Sequence, residues 1–188
     1  MAYVDAAVTL DGPQVTEVVT AARDLGVFTH LGITQRGTAS ARGTVFATLL
    51  AVDPHRGLVS AHRKLRPTYE ERLVWGAGDG HGLRVHGHRY VRVGGLNGWE
   101  NWMLQARHAL YAGGEDVHVS VWPGSSRLTR DITRFIALEE AIVTADVDMA
   151  RVREARQSFD PTGHDARPDV FLVQVDRRRL AAAEFLDP

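Results

Sequence analysis

The sequence predicts a layered α/β or α+β domain, and three observations carry that prediction. A segment with helical spacing is followed by a run of strands, the order of elements that builds helices onto sheets. An alternating apolar run, Val91 to Leu96, passes through glycines and enters a second stretch of helical spacing. The chain has 188 residues with 44% hydrophobic and 24% charged side chains, enough for one well-buried core. A single domain over 1–188 is expected.

In chain order, Met1 to Leu10 is poorly patterned and reads as the end of a strand. Asp11-Gly12-Pro13 is a helix start, since proline is tolerated in the first turn. Val15, Val18, Val19, Ala22 and Leu25 recur at helical spacing, and Gly26 stops that helix. Val27 to Thr34, Thr44 to Val52 and Leu58 to His62 read as strands. They are separated by the turn-rich Gln35 to Gly43 and by Asp53-Pro54-His55-Arg56-Gly57. Arg63 to Gly82, with Pro67, four glycines and Trp75, reads as one long polar loop, a class that is often functional. Leu83 to Val93 resumes as a hairpin. A strand ending near Leu96 or Asn97 then turns at Gly98 into a helix beginning near Trp99 or Glu100 and running to Gly113. Beyond it, Val117 to Trp122 and Ala141 to Val147 read as strands and Arg130 to Glu140 as a helix. Met149, Val152, Ala155 and Phe159 mark another helix, and Val170 to Val175 a strand in the tail.

The sharp turn from strand to helix is the stretch with chemical interest. Backbone N–H groups at such an elbow favour negative charge and can stabilise an oxyanion, so enzymes place nucleophiles there. Here the elbow residue is Gly98, which has no side chain.

Composition narrows the function classes. A net charge of −1 argues against nucleic acid as the main partner. Zero cysteines exclude disulfides, thiolate metal sites and any thiol nucleophile. No charged n-region followed by an apolar h-region opens the sequence, and no apolar run approaches membrane-spanning length, so a cytoplasmic protein without a membrane partner is expected. His86 and His88 lie two apart on a predicted strand and share a face, a spacing that can ligate a metal. No third ligand is placed, and Gly87 suggests a hairpin tip in solvent, so no metal site is expected.

Several motifs together resemble the nitrilases of the carbon–nitrogen hydrolase superfamily. They are His62-Arg63-Lys64-Leu65-Arg66-Pro67-Thr68-Tyr69-Glu70-Glu71-Arg72-Leu73-Val74-Trp75-Gly76, then Gly78-Asp79-Gly80, then Gly94-Gly95-Leu96-Asn97-Gly98-Trp99-Glu100-Asn101-Trp102-Met103. The similarity continues through Ala106-Arg107, Ala109 to Ala112 and His118 to Pro123, and returns in Val152 to Asp169. The resemblance implies a four-layer α-β-β-α sandwich and a Glu-Lys-Cys triad that hydrolyses nitriles to acids and ammonia without a cofactor. Carried over by position, the lysine falls on Lys64 and a supporting second glutamate on Glu71. The cysteine falls on Gly98, the N–H of Trp99 would contribute to an oxyanion hole, and Trp122 and Pro123 would lie near the pocket.

The departures are as informative. The family's first strands and its general-base glutamate lie upstream of anything matched, and a second gap falls near 139–141. The sandwich is therefore expected to be incomplete. The ordinary reading of Lys64 is a solvated lysine, of Glu71 a surface ion pair with Arg72, and of Gly98 a turn glycine. Trp75, Trp99 and Trp102 read as core or pocket wall. Three functions follow: a nitrilase-family hydrolase by descent with catalysis lost or residual, a non-catalytic binding or assembly subunit, or a hydrolase with another nucleophile. Ser120, Ser125 and Ser126 have no evident base for the third. A nitrile or amide is the implied small-molecule ligand. Unpaired sheet edges, with the family's assembly through its flanking helices, imply a homo-oligomer.

Overall fold

The computed structural model describes residues 2–38, 41–121, 150, 153, 169–170 and 172–179. Its elements are α1 (Ala2–Ala6), α2 (Pro13–Leu25), β1 (Thr29–Arg36), β2 (Val45–Asp53), β3 (Gly57–Arg63), β4 (His86–His88), β5 (Val91–Asn97), α3 (Leu104–Ala112) and β6 (Val117–Val121). Single 3-10 turns occupy Tyr69–Leu73, Gly80–Gly82 and Gly98–Trp102.

The signals at the ends of α2 act as expected. Gly12 caps it in an extended conformation, Pro13 fills the first turn, and Gly26 ends it at φ 65°, donating its N–H to the carbonyls of Ala22 and Arg23. Its inward face puts Val15 and Ala22 against Leu50 and Val52 of β2 and Ala61 of β3. Strands β1, β2 and β3 form an antiparallel sheet in that order. The central strand β2 is buried at nearly every position, which is why its sequence is a continuous rather than an alternating apolar run.

The other face of this sheet meets a second sheet, ordered β4-β5-β6, in which β4 and β5 are antiparallel and β5 and β6 parallel. A Cβ on Gly95 would lie 3.2 Å from Leu49 Cδ2 and 3.2 Å from His30 Nε2, so the missing side chain lets the sheets close. On the far side of β5, Leu96 packs with Ala106, Ala109 and Leu110 of α3. The layers are therefore α2, first sheet, second sheet, α3, an α-β-β-α sandwich. Leu50, Leu96 and Leu110 are completely buried, and each contributes roughly 1.5–3 kcal/mol by leaving water.

Several expectations are corrected. The first residues form α1, and Val8 adds a single parallel bridge to Gln35 at the outer edge of β1. The 63–82 segment is not one loop: it holds two 3-10 turns, and Trp75 bridges to Val45. The hairpin tip is Arg89-Tyr90, with Gly87 inside β4 opposite Arg92. The elbow leads first into a 3-10 turn, and the α-helix starts only at Leu104. Residues 172–177 have no regular structure. The helices and strand expected over 130–159 lie outside the described residues, apart from the helical positions Ala150 and Arg153. No helix among the described residues is long and apolar enough to cross a membrane.

Candidate functional site

Lys64 follows β3 directly, and the strand's burial carries it inside: its side chain is 3% exposed. Its backbone is fixed from both sides, with its N–H donated to Ala47 O at 2.8 Å and its carbonyl accepting from Gly78 N at 2.8 Å. Gly78 is required there, because a Cβ would collide with the backbone of Arg63 and Lys64. The Lys64 ammonium donates to Glu71 Oε2 at 2.6 Å. The same oxygen accepts the Thr68 N–H at 2.6 Å, so the 3-10 turn of Tyr69–Leu73 aims the carboxylate. Glu71 therefore does not pair with Arg72, whose Nε donates to Pro67 O.

Gly98 sits at φ +63°, in the left-handed region where a side chain is strained. A Cβ there would lie 2.9 Å from Lys64 Nζ and 3.4 Å from Lys64 Cε. The structure thus brings Lys64, Glu71 and Gly98 together around one point, from separate segments of chain. Trp99 is half-buried beside it, with its ring 4.9 Å from that of Trp102 in an edge-to-face arrangement. Trp102 is 48% exposed, so it is not a core residue. Trp122 and Pro123 lie outside the described residues.

Two buried residues that sequence reasoning passed over hold this arrangement. The Glu100 carboxylate is fully buried and accepts from His62 Nε2 at 3.0 Å, Asn97 N at 3.0 Å and the backbone N–H of Leu65. It therefore ties the residue after Lys64 to the residue before Gly98. Asn101, also fully buried, donates Nδ2–H to Gly98 O at 2.7 Å. Its Oδ1 lies 2.8 Å from His118 Nε2 and accepts from Ser120 Oγ at 2.9 Å, and His118 Nδ1 meets Glu115 Oε1 at 2.9 Å. A signal for the first was present. Asn97-x-x-Glu100 and Thr68-x-x-Glu71 both have the spacing of a capping box, in which the glutamate reaches back to the first residue's N–H. Asn101 has no comparable signature.

His30 lies between the sheets, and burial, followed by the nearby His86 and His118, lowers it to about 4. His86 is also held below its ordinary value, by burial and then by Arg56 and Arg84. Among the described residues no group of three or more histidines and carboxylates is arranged to hold an ion. His86 instead meets Ser60 Oγ at 2.9 Å, and His88 Nδ1 is 3.6 Å from Asp53 Oδ2.

Comparison with known proteins agrees with this geometry. Residues 2–135 match the family model described as carbon-nitrogen hydrolase. An aliphatic nitrilase of Rhodococcus rhodochrous is 28% identical over 242 residues, covering 94% of this chain and 65% of its own length. A nitrilase 3 from an unknown prokaryotic organism is 38% identical over 122 residues, 65% of this chain and 36% of its own. Among solved structures, a CN-hydrolase superfamily protein of Xanthomonas campestris with an arsenic adduct in its active site superimposes with a TM-score of 0.69. It is 17% identical, and the match covers 92% of this chain and 81% of that one.

Proposed function

This chain belongs to the carbon–nitrogen hydrolase family, and from that premise we propose that it is a nitrilase-type hydrolase by descent whose thiol chemistry is lost. The observation that carries the reading is the buried Lys64, paired with the half-buried Glu71, facing an elbow whose residue, Gly98, sits at positive φ and has no reactive side chain. In this reading Lys64 is the cation that steadies charge developing on a bound nitrile or amide. Glu71 orients that cation, and Trp99 forms part of the pocket wall. The family's covalent step needs a thiolate, and the whole chain contains no cysteine.

The reading includes a single domain lacking an internal piece near 139–141. The alignment with the Rhodococcus nitrilase supports it: 242 aligned positions are covered by only 94% of 188 residues, leaving about 65 positions of the relative with no counterpart. The intact hydrogen bonding around Gly98 favours, as the second reading, a binding or assembly subunit that retains the pocket in a cytoplasmic homo-oligomer. Ammonia release from a panel of aliphatic and aromatic nitriles tests the first reading. It should equal the protein-free blank. Turnover that disappears in Lys64→Ala would overturn the proposal, and turnover that survives that change would be traced to a contaminant.

A further inference from the structure

A second concave site lies outside the elbow, on the flank where the β2–β3 turn, the start of β4 and strand β5 meet the segment 172–179. It is a groove of about 450 Å³. Its walls carry Arg56, Arg84, Arg92 and Arg177, over a floor that includes Val59 and Val85. No aspartate or glutamate lines it among the described residues. In a chain of net charge −1, four guanidinium groups around one groove are a strong local excess.

Of the nearby carboxylates, Asp53 is held by one groove arginine, Arg56, and the others are engaged away from the groove guanidinium groups. Asp53 accepts from the Arg56 guanidinium at 2.9 Å and from the backbone N–H groups of His55 and Arg56. Burial alone would raise its carboxyl, but these bonds and the Arg56 charge outweigh that and hold it well below the usual carboxylate range. Asp116 accepts the Arg92 backbone N–H, and Asp176 pairs with Arg178. Arg84 uses its Nε on His81 O at 2.8 Å, and no carboxylate pairs with Arg84, Arg92 or Arg177 among the described residues. His86, on the groove wall, is held below its ordinary value first by burial and then by Arg56 and Arg84, with Asp53 acting in the opposite direction.

Guanidinium groups recognise phosphate and carboxylate with paired, charge-assisted hydrogen bonds. Arg56 has Asp53 as its counter-charge; the three guanidinium groups of Arg84, Arg92 and Arg177 have no carboxylate partner among the described residues, and like charges so gathered repel unless an anion joins them. The volume falls within the range of small-molecule sites. We propose that this groove binds a small, multiply charged anion bearing phosphate or carboxylate groups. The ligand is separate from any nitrile or amide at the elbow, and its binding does not depend on catalysis.

The test is isothermal titration of the full chain with tripolyphosphate and, separately, with citrate, at low and near-physiological salt. Saturable one-site binding that weakens with salt is expected. Arg84→Gln and Arg92→Gln should each weaken it roughly tenfold, the scale of losing a charged hydrogen-bond donor. Arg92→Lys, which keeps the charge and loses the fork, should fall between. Arg23→Gln, on α2, should leave binding unchanged. Tighter binding of one probe assigns the anion as phosphate or carboxylate, and either supports the site. Should Arg84→Gln fail to fold by circular dichroism, Arg92→Gln and Arg177→Gln carry the same comparison. Absence of saturable binding to both probes would overturn the proposal, as would equal weakening by Arg23→Gln.

Discussion

Introducing a thiol at the elbow by Gly98→Cys is the most direct probe of the proposed site. The cost is local. A non-glycine residue at φ +63° is strained by about 1–2 kcal/mol. The new Cβ would meet Lys64 Nζ at 2.9 Å, and a flexible side-chain tip can give by the few tenths of an ångström required. For a chain of this size the strain corresponds to a fall in Tm of about 2–8 °C. The same proximity has a chemical consequence. An ammonium against the new side chain favours thiolate, so its pKa should fall below the ordinary value of about 8.5.

Iodoacetamide labelling followed by intact mass measures this, and the parent chain has no other cysteine to confuse it. One label per chain is expected, with a rate midpoint below the ordinary thiol value. Adding Lys64→Gln should move that midpoint back up. No sustained ammonia release from nitriles is expected, because the members of a catalytic unit do not act independently. Multiple turnovers by the single variant would refute the reasoning and would point to Glu71 serving as a base. A midpoint at or above the ordinary thiol value would refute the placement of Lys64.

Further outcomes follow from the same structure. Glu100→Gln turns an amide group toward buried N–H donors and should destabilise the fold by about 1–3 kcal/mol, read as a urea-midpoint shift with unchanged slope; an unaltered midpoint would remove Glu100 as the tie between Lys64 and the elbow. His30 is held at about 4 when folded, against an ordinary histidine value of about 6.5, so the unfolded chain binds the extra proton between these values. Stability from this group is complete above about pH 6.5 and is lost as pH falls, amounting to about 3 kcal/mol by pH 4. Denaturation at pH 7.5 and near pH 4 should show that loss shrinking in His30→Gln, and an identical pH dependence would count against it. Among the described residues the outer edge of β1 is met only by the single bridge from Val8, and Leu31 is exposed, so light scattering should find an oligomer or aggregate; a monodisperse 20.7 kDa species would contradict this.

What was legible in the sequence divides along physical lines. Helix α2 was readable to its end residues because its stop is local: Gly26 reaches the left-handed region without a Cβ penalty. Strand β5 and the turn at Gly98 were readable from alternation and glycine. The first turn of the chain was not, since α1 has only five residues, too few for periodicity to register. The fixed Arg63–Gly82 segment was misread because its order comes from outside it. Val45 bonds Gly76 N, Ala47 bonds Lys64 N, and Arg179 reaches Asp79 across the fold.

On the proposed reading a reactive residue is absent at the elbow while its setting persists, and the hydrogen bonds there explain how. Every hydrogen bond that positions Lys64 and Gly98 runs to backbone or to another supporting side chain. Glu100 joins the N–H groups of Leu65 and Asn97, Asn101 holds the carbonyl of Gly98, and Glu71 joins Thr68 N to the Lys64 ammonium. None of these bonds requires a side chain at position 98. The bonds to Glu100 are buried, so breaking them leaves unsatisfied donors and a fully buried carboxylate. Stability therefore retains the geometry through Glu100 and Asn101, whether or not chemistry does. Lys64 and Glu71 are different. A buried ammonium whose one carboxylate partner is itself 35% exposed is weak evidence for stability, since replacing such a pair by apolar side chains is often neutral. Their retention beside Gly98 is the feature that folding energetics alone does not account for, and it is there that a retained binding function would be sought.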